Sequence, residues 1–403
     1  MNTRRQFLAS SATAVAALAT GAFRARAADM PGITDTEIKI GQTMPYSGPA
    51  SAYGVIGKTE SAYFKMINEA GGINGRKINL VSLDDSYSPP KTVEQVRRLA
   101  EQEGVAFFFN TLGTAQNASI RQYLNDAKIP QLFVDTGASL FADPEHFPWT
   151  VGYNPSYQTE ARIYGKHILA TKPNAKVAIL YQNDGFGKDY LTGLKDGLGA
   201  DHAGMIVKEA SYETSEPSVD SQVVTLQGSG ADFLLIAATP KFAAQAIRKS
   251  YDLGWDATRY LTNVSQSITA VMKAAGFEKS KGLITGAYGK DVGDPAFKDD
   301  AGVKEWQAFC DKYLSHTEFG DLNASYGYGA AATMAQVLKQ CGADLSRENV
   351  LKQATNIQNL TLPMLLPGIT INTSPTNYSP IRQLKLAQFN GESWQLFGDL
   401  IAG

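Results

Sequence analysis

Two short turns rich in glycine and hydroxyl side chains are the segments of this sequence best suited to binding a small anion. Residues 111–115 (Thr-Leu-Gly-Thr-Ala) follow an apolar run and open a helical pattern, and residues 135–139 (Asp-Thr-Gly-Ala-Ser) follow the next apolar run. The first N–H groups of a helix lack acceptors within the helix and therefore suit a carboxylate. Thr114 stands at that helix start, where it is either a ligand contact or an ordinary turn or N-cap residue.

Residues that commonly perform catalysis or bind metals are few and scattered. The histidines have no metal-binding spacing such as HExxH, and neither a G-x-S-x-G turn, a P-loop nor a complete G-x-G-x-x-G after a strand occurs. Cys310 and Cys341 lack a CxxC partner or a neighbouring histidine, so they are either a disulfide or two unpaired buried thiols. We therefore expect a binding protein that is not an enzyme and needs no cofactor or metal.

The N-terminus has the order of a secretory signal. A paired arginine, Arg4-Arg5, precedes an apolar run over 9–22 and the motif Ala25-Arg26-Ala27. This arrangement predicts a cleaved twin-arginine signal peptide over 1–27 and a periplasmic location. The alternative is a membrane anchor, but the run is shorter than the roughly 20 residues that span a bilayer.

The net charge of the mature chain narrows the choice of partners. Removing residues 1–27 takes away four arginines and no acidic residue, so the formal net charge goes from −2 to −6. A mildly acidic chain without a basic stretch argues against a nucleic-acid partner.

The mature sequence alternates strand-like and helix-like segments, which is typical of parallel sheets covered by helices. One such series ends near residue 150, and a second series follows it. The pattern predicts an α/β fold with two doubly wound parallel-sheet lobes joined by a multi-crossing hinge. We assign 33–150 plus 283–365 to the N-terminal lobe and 151–282 plus 366–403 to the C-terminal lobe.

Seven segments carry a family resemblance. They are 37–41 (EIKIG), 47–49 (SGP), 53–54 (YG), 68–78 (NEAGGINGRKI), 84–85 (DD), 181–187 (YQNDGFG) and 281–283 (KGL). Together they resemble the type I periplasmic binding proteins, and more closely their leucine/isoleucine/valine-binding branch. The resemblance implies the periplasmic substrate-binding component of an ABC importer. It also implies a monomer that closes two lobes on a small-molecule solute and delivers it to an inner-membrane permease complex.

The resemblance also implies where the ligand is held. Thr114, with Leu112 and Gly113, matches the turn that grips the ligand carboxylate, and Asp135 with Gly137 matches a second grip. The aromatic residues that match family positions around the cleft are Tyr46, Tyr53, Phe186 and Tyr288. Taken singly, each aromatic is more often part of a hydrophobic core than of a pocket.

The sequence departs from the family around residues 239–242. Amino-acid binders of this branch carry a carboxylate near here to pair with the ligand ammonium, whereas this chain has Thr239, Lys241 and Phe242 and no acid before Asp252. A buried ammonium without a counter-charge is costly. The departure favours an aromatic or other organic acid without an amine, with Lys241 either binding the anion or simply solvated.

Several alternatives stay open. Asp135 or Asp184 would serve as the counter-charge if the ligand were a branched-chain or other amino acid. Members of the branch also include binders of amides and urea. A ligand-sensing receptor domain is the alternative from a different class, because it can share the same fold.

Overall fold

The computed structural model describes residues 30–402, so the predicted signal peptide over 1–27 lies outside the described residues. The first lobe begins with a sheet of five parallel strands. These are β1 (Glu37–Met44), β2 (Lys77–Asp84), β3 (Phe108–Phe109), β4 (Gln131–Val134) and β5 (Thr150–Gly152). Their order across the sheet is β2-β1-β3-β4-β5. The helices between them are α1 (Gly54–Glu69), α2 (Pro89–Arg97) and α3 (Thr114–Asp126).

The second lobe contains a sheet of seven strands. These are β6 (Val177–Gln182), β7 (Ile206–Tyr212), β8 (Phe233–Ala237), β9 (Thr258–Leu261), β10 (Ile284–Ala287), β11 (Gln383–Phe389) and β12 (Trp394–Ala402). Their order is β12-β11-β10-β9-β8-β6-β7. β6 to β10 pair with one another as parallel strands. β11 pairs antiparallel with β10 and with β12, and these last two strands form one edge of the sheet.

Helices cover the second sheet, whose apolar strands must be shielded from water. They are α4 (Tyr157–Thr171), α5 (Gly185–Leu198), α6 (Asp220–Gln227), α7 (Pro240–Asp252), α8 (Lys273–Ala275) and α9 (Phe277–Ser280). β8 is buried along its whole length, which is typical of a parallel strand with helices on both faces. α7 starts at Pro240, where the missing N–H is not needed by the helix.

The chain then returns to the first lobe. α10 (Ala301–Tyr313), α11 (Leu322–Cys341) and α12 (Arg347–Ala354) follow β10, and α11 packs along α1. Three segments, over 153–156, 288–300 and 355–382, therefore connect the two lobes, and we call them the hinge. The two-lobed α/β fold predicted from the alternating pattern is confirmed.

The strand pairing bears on one predicted lobe boundary. β10 pairs with β9 and β11, so Ile284–Ala287 belongs to the second sheet and not to the segment 283–365 predicted for the first lobe. The predicted boundary at 365/366 falls within the third hinge segment, where the Tyr378 hydroxyl donates to the carbonyl of Pro148 at 2.9 Å, and it stays a prediction. Apolar periodicity locates a strand in the sequence, but it does not tell which sheet the strand joins.

The two cysteines lie in helices of the first lobe. Cys310 in α10 and Cys341 at the end of α11 are both buried, and both are free thiols in this structure. Burial raises the pKa of each thiol to about 12, which keeps them protonated. No helix within residues 30–402 has the length and apolar character needed to cross a membrane.

Candidate functional site

A cavity, which we call the cleft cavity, lies between the two lobes. Its lining residues come from loops and helix starts that follow strands of both sheets, the usual ligand position in open α/β folds. They are Tyr53, Tyr87, Leu112, Gly113, Thr114, Asp135, Tyr157, Phe186, Thr239 and Val264.

The two turns singled out in the sequence lie side by side at this cavity. The N–H of Gly113 donates to the carbonyl of Asp135 at 3.2 Å, and the N–H of Asp135 donates to the carbonyl of Thr111 at 2.9 Å. The hydroxyls of Thr114 and Thr136 are 2.7 Å apart, which links the two turns a second time. The parallel strands β3 and β4 deliver both turns to the same edge of the sheet.

The start of α3 is shaped to receive an anion. Gly113 is the N-cap and has a φ of 104°, a conformation that favours glycine. A Cβ at Gly113 would lie 2.2 Å from Oε1 of Gln116, so any larger residue would also clash. The first backbone bond of the helix is from the N–H of Asn117 to the carbonyl of Gly113 at 3.1 Å. The N–H groups of the first turn therefore point out of the helix end, toward the cavity that Thr114 lines.

Asp135 brings a carboxyl group into the cavity wall. Its side chain is buried, and Oδ1 accepts a hydrogen bond from the Asn154 amide at 2.9 Å. Oδ2 is buried and receives no hydrogen bond from any described residue. Burial raises the pKa of Asp135 to about 7, against the opposing effects of Asn154 and the nearby Tyr326 hydroxyl. Asp135 therefore lies near the midpoint of its titration at neutral pH.

The second lobe contributes an aromatic wall. Phe186 packs edge-on against Tyr157, with 5.0 Å between the ring centroids. Thr239 ends the loop after β8, and its N–H donates to the Tyr212 hydroxyl at 3.0 Å. Asp184, the other candidate counter-charge, caps α5 by accepting from the N–H of Phe186 at 3.0 Å. The oxygens of Asp184 accept hydrogen bonds from the start of α5 and from the Gln182 amide, and Asp184 does not line the cavity.

The lobes touch each other on several sides of the cavity. The Tyr53 hydroxyl donates to the carbonyl of Val264 at 3.0 Å, across the cleft. The side chain of Asp189 in α5 accepts from the N–H and hydroxyl of Ser139 at 2.6 and 2.9 Å. Both contacts join a residue of the first lobe to one of the second, so this is a closed arrangement.

Val264 is held in place by a buried carboxyl. Glu160 in α4 accepts from the backbone N–H of Asn263 at 2.8 Å and from the Tyr190 hydroxyl at 2.5 Å. It also accepts from the Asn263 amide and from the Tyr164 hydroxyl. Burial raises the pKa of Glu160 to about 7, although these four donors oppose the shift. Glu160 thus fixes the turn that presents Val264 to Tyr53.

Five of the predicted ligand residues lie outside the cleft cavity. Tyr46 bonds Ser82 within the first lobe, with 2.6 Å between the hydroxyls. A Cβ at Gly137 would lie 2.0 Å from the carbonyl of Pro155, so this glycine serves close packing. Lys241 is exposed, and Phe242 is fully buried against the ring of Tyr212. Tyr288 lines a different cavity, in the hinge.

Three lining residues were missed in the sequence. Tyr87, Tyr157 and Val264 carry no motif, but each follows the carboxyl end of a strand by a few residues. Tyr87 has a φ of 59°, unusual for a tyrosine, and its hydroxyl accepts from the Gln182 amide at 3.3 Å across the cleft. Only the rule that ligands lie beyond strand ends would have pointed to them.

A family model described as "Periplasmic binding protein" matches residues 37–393. The chain belongs to this family. The resemblance to the type I proteins of the leucine/isoleucine/valine-binding branch is thereby confirmed. Members of the family bind small solutes and work with the permeases of ABC transporters.

Known relatives agree with this membership. The Leu/Ile/Val-binding protein homolog 1 of Brucella abortus is 25% identical over 320 residues, covering 77% of this chain and 81% of that protein. A branched-chain amino acid ABC transporter protein of Thermus thermophilus, solved with bound valine, has a TM-score of 0.82 at 16% identity, covering 92% of this chain and 98% of the other. A solute-binding protein of Rhodopseudomonas palustris, solved with 3,4-dihydroxybenzoic acid, has a TM-score of 0.75 at 16% identity, covering 91% and 97%. At these identities the two structures show the shared fold alone.

Proposed function

We propose that this chain is the periplasmic substrate-binding component of an ABC importer and that its solute is an apolar α-amino acid. The observation that carries the proposal is Asp135, the one charged side chain among the residues of 30–402 that line the cleft cavity. Asp135 Oδ2 is buried and accepts no hydrogen bond from the described residues, with the Tyr326 hydroxyl nearby, and such a carboxyl group suits a ligand cation or another donor.

The two charged ends of an amino acid fit two neighbouring features of the site. The first turn of α3 offers outward N–H groups beside the Thr114 hydroxyl, which suits the α-carboxylate. Asp135 lies on the adjoining turn and suits the α-ammonium. The N–H of Gly113 donates to the carbonyl of Asp135 at 3.2 Å, so the two turns are neighbours, which supports a ligand that carries both charges close together.

This proposal replaces the preference for an acid without an amine. That preference rested on the lack of a carboxylate at 239–242, where Lys241 is exposed and Phe242 is in the core. With Asp135 in the cavity wall, the counter-charge comes from the first lobe instead. The Brucella relative is named for leucine, isoleucine and valine, and the Thermus protein was solved with valine, which supports the same class.

An aromatic carboxylic acid is the second candidate. The pKa of Asp135, about 7, allows a protonated carboxyl group that donates to an anion instead of repelling it. Tyr87, Tyr157 and Phe186 supply an aromatic wall, and the Rhodopseudomonas neighbour was solved with an aromatic acid. The two candidates differ in the protonation state of Asp135 that they require.

The remaining parts of the proposal follow from the family. We infer that the mature chain acts as a monomer in the periplasm and that an inner-membrane permease complex recognises its closed form. The hydrogen bonds from Tyr53 to Val264 and from Ser139 to Asp189 support closure as the recognised state.

A thermal-shift screen of the mature protein tests the proposal. The panel contains leucine, isoleucine, valine, phenylalanine, benzoate and a simple amide. A ligand at 100 times its dissociation constant adds about 2.7 kcal/mol to the free energy of unfolding. We expect stabilisation by the apolar amino acids. Stabilisation by benzoate alone would contradict the amino-acid proposal and favour the second candidate.

A further inference from the structure

The tight turn that joins α1 to β2 carries Asn74 and Gly75 at its centre. The N–H of Ile73 donates to the carbonyl of Arg76 at 2.8 Å, and the N–H of Arg76 donates back to the carbonyl of Ile73 at 3.0 Å. Asn74 has a φ of 51° and Gly75 a φ of 78°, the left-handed pair that a two-residue hairpin turn requires. Both central residues are exposed, so the tip of the turn stands in solvent.

The backbone nitrogen of Gly75 is accessible. Its N–H makes no hydrogen bond with any residue of 30–402. A Cβ built at Gly75 would meet nothing within 4 Å, so the space beside this residue is open. Glycine also has no side chain of its own to shield the N–H. Nothing in the described part of the chain therefore keeps the neighbouring Asn74 side chain from reaching this nitrogen.

The Asn74 amide is held by a single hydrogen bond within the described residues. Its Nδ2 donates to the carbonyl of Gly342 at 3.0 Å, in an exposed position. Gly342 is the residue that follows the end of α11 at Cys341. An exposed bond of this kind exchanges readily for a bond to water, so the side chain can leave this position at small cost.

We propose that Asn74 is a site of spontaneous deamidation. The Gly75 nitrogen loses its proton to solvent and attacks Cγ of Asn74, so that a C–N bond forms and a five-membered succinimide closes. The bond from Cγ to Nδ2 breaks, and Nδ2 takes up a proton and leaves as ammonia. Water then adds to one of the two ring carbonyl carbons, and the ring C–N bond to that carbon breaks. The products are an aspartyl or an isoaspartyl residue, and water is the only co-reactant.

A second Asn-Gly dipeptide, Asn390-Gly391, lies in the turn between β11 and β12 and serves as a comparison within the same chain. The Oδ1 of Asn390 accepts from the N–H of Glu392 at 2.8 Å and from the N–H of Ser393 at 2.9 Å. These two bonds must break before Cγ can turn toward the next nitrogen. Deamidation at Asn390 should therefore be the slower of the two reactions.

The reaction would also weaken the contact between the turn and α11. It replaces an amide donor by a negative charge beside the Gly342 carbonyl, and the carbonyls at the C-terminal end of a helix already carry partial negative charge. An isoaspartyl linkage further adds one carbon atom to the backbone of a two-residue turn. None of the residues involved lines the cleft cavity, so solute binding should be unaffected.

The experiment incubates the mature protein in mildly alkaline buffer, both folded and in guanidinium chloride. Peptide mass spectrometry and labelling by an isoaspartate-specific methyltransferase follow the two dipeptides. In the denatured chain the two should react at similar rates, because each asparagine precedes a glycine. In the folded protein we expect Asn74 to react at least about fivefold faster than Asn390, the effect of roughly one additional hydrogen bond that must break.

Two substitutions at Asn74 separate the reaction from its consequence. Asn74→Gly tolerates the left-handed φ and cannot form a succinimide, so deamidation at this turn should disappear while that at Asn390 continues. Asn74→Asp introduces the product charge directly, and we expect its thermal unfolding midpoint to fall by roughly 2 °C. Asn390→Asp is the matched control, because a carboxylate still accepts from Glu392 and Ser393, and its midpoint should equal that of the wild type.

The outcomes do not depend on which solute the protein binds. If the fold protects Asn74 as strongly as Asn390, relative to the denatured chain, the proposed site is wrong. If Asn74→Asp melts at the wild-type temperature, the proposed loss of contact with α11 is wrong. Rapid deamidation at Asn74, with the predicted difference between the two aspartate substitutions, supports both parts.

Discussion

Asn154 donates its side-chain amide to Oδ1 of Asp135 at 2.9 Å and leaves Oδ2 of the same carboxyl group without a donor at the cleft cavity. Asn154 lies in the first hinge segment, just after β5, whereas Asp135 follows β4. The hinge therefore orients the carboxyl group that we assign to the ligand ammonium. A movement of the first hinge segment and the binding of a ligand therefore both act on the side chain of Asp135.

Replacing the proposed counter-charge should abolish amino-acid binding. Asp135→Asn keeps the size of the side chain but removes its charge, so the buried ammonium loses its partner. We expect leucine affinity to fall by about 100-fold or more, corresponding to about 3 kcal/mol, when measured by titration calorimetry.

Asp291→Asn is the control for this substitution. Asp291 is also buried with a raised pKa, but it accepts from the N–H of Trp394 and lines neither cavity. The Asp291→Asn variant should bind leucine with the affinity of the wild type. Equal leucine affinities for Asp135→Asn and the wild type would show that another group holds the ammonium.

Breaking the contact between α5 and Ser139 should speed ligand release. Asp189→Ala removes two hydrogen bonds between the lobes, each worth about 1 kcal/mol. We expect leucine to dissociate roughly tenfold faster in stopped-flow measurements. Asp196→Ala, on the same helix, removes only an exposed pair with Arg162 and should leave the rate unchanged. An unchanged rate in Asp189→Ala would mean that this contact does not limit opening.

Glu160 should contribute strongly to stability because it satisfies four donors in the interior. Glu160→Ala leaves the hydroxyl of Tyr190 and the N–H of Asn263 without that acceptor. We expect the free energy of unfolding in urea to fall by about 3 kcal/mol or more. Glu209→Ala removes a surface pair with Lys195 and should change it by less than about 0.5 kcal/mol. A small effect in Glu160→Ala would indicate that water replaces the carboxyl group.

The raised pKa values of Asp135 and Glu160 predict the direction in which these two groups make stability depend on pH. Asp135 and Glu160 both have a folded-state pKa of about 7, well above the unfolded values near 4. Between about pH 4 and pH 7 the folded state therefore holds more protons than the unfolded state. From these groups, the unfolding free energy of the ligand-free protein should fall as pH rises through this window, by up to roughly 1.4 kcal/mol per pH unit for each group.

Urea unfolding between pH 4.5 and pH 8 measures this dependence. Asp135→Asn and Glu160→Gln should each flatten the slope because each removes one titrating group. A slope that is the same in both variants and the wild type would show that neither carboxyl group has a raised pKa.

The sequence predicted best what depends on local chemistry. The α3 turn is an example, because Gly113 and Thr114 follow an apolar strand and the conformation of one glycine decides the geometry. The positions of Lys241 and Phe242 were harder to predict. The start of α7 at Pro240 was visible, but the rotation of the helix, which exposes one residue and buries the next, depends on packing against Tyr212.

Contacts between segments far apart in the sequence were the hardest features to predict from it. The assignment of β10 to the second sheet depends on its pairing with β11, a strand about a hundred residues later. Tyr288 was expected at the ligand because it matches an aromatic position of the family, but it lines a second cavity in the hinge, where the second hinge segment starts. No spacing in the sequence encodes the meeting of three hinge segments.

The proton balance of leucine binding at pH 7 tests the central claim most directly. Titration calorimetry in two buffers of different ionisation enthalpy counts the protons exchanged. Because Asp135 has a pKa of about 7 and must be ionised to pair with an ammonium, we predict the release of about half a proton per leucine bound. Loss of that release in Asp135→Asn would assign it to this residue. Proton uptake on binding of benzoate, with no heat from leucine, would contradict the claim and identify the protonated carboxyl group as a donor to an organic acid.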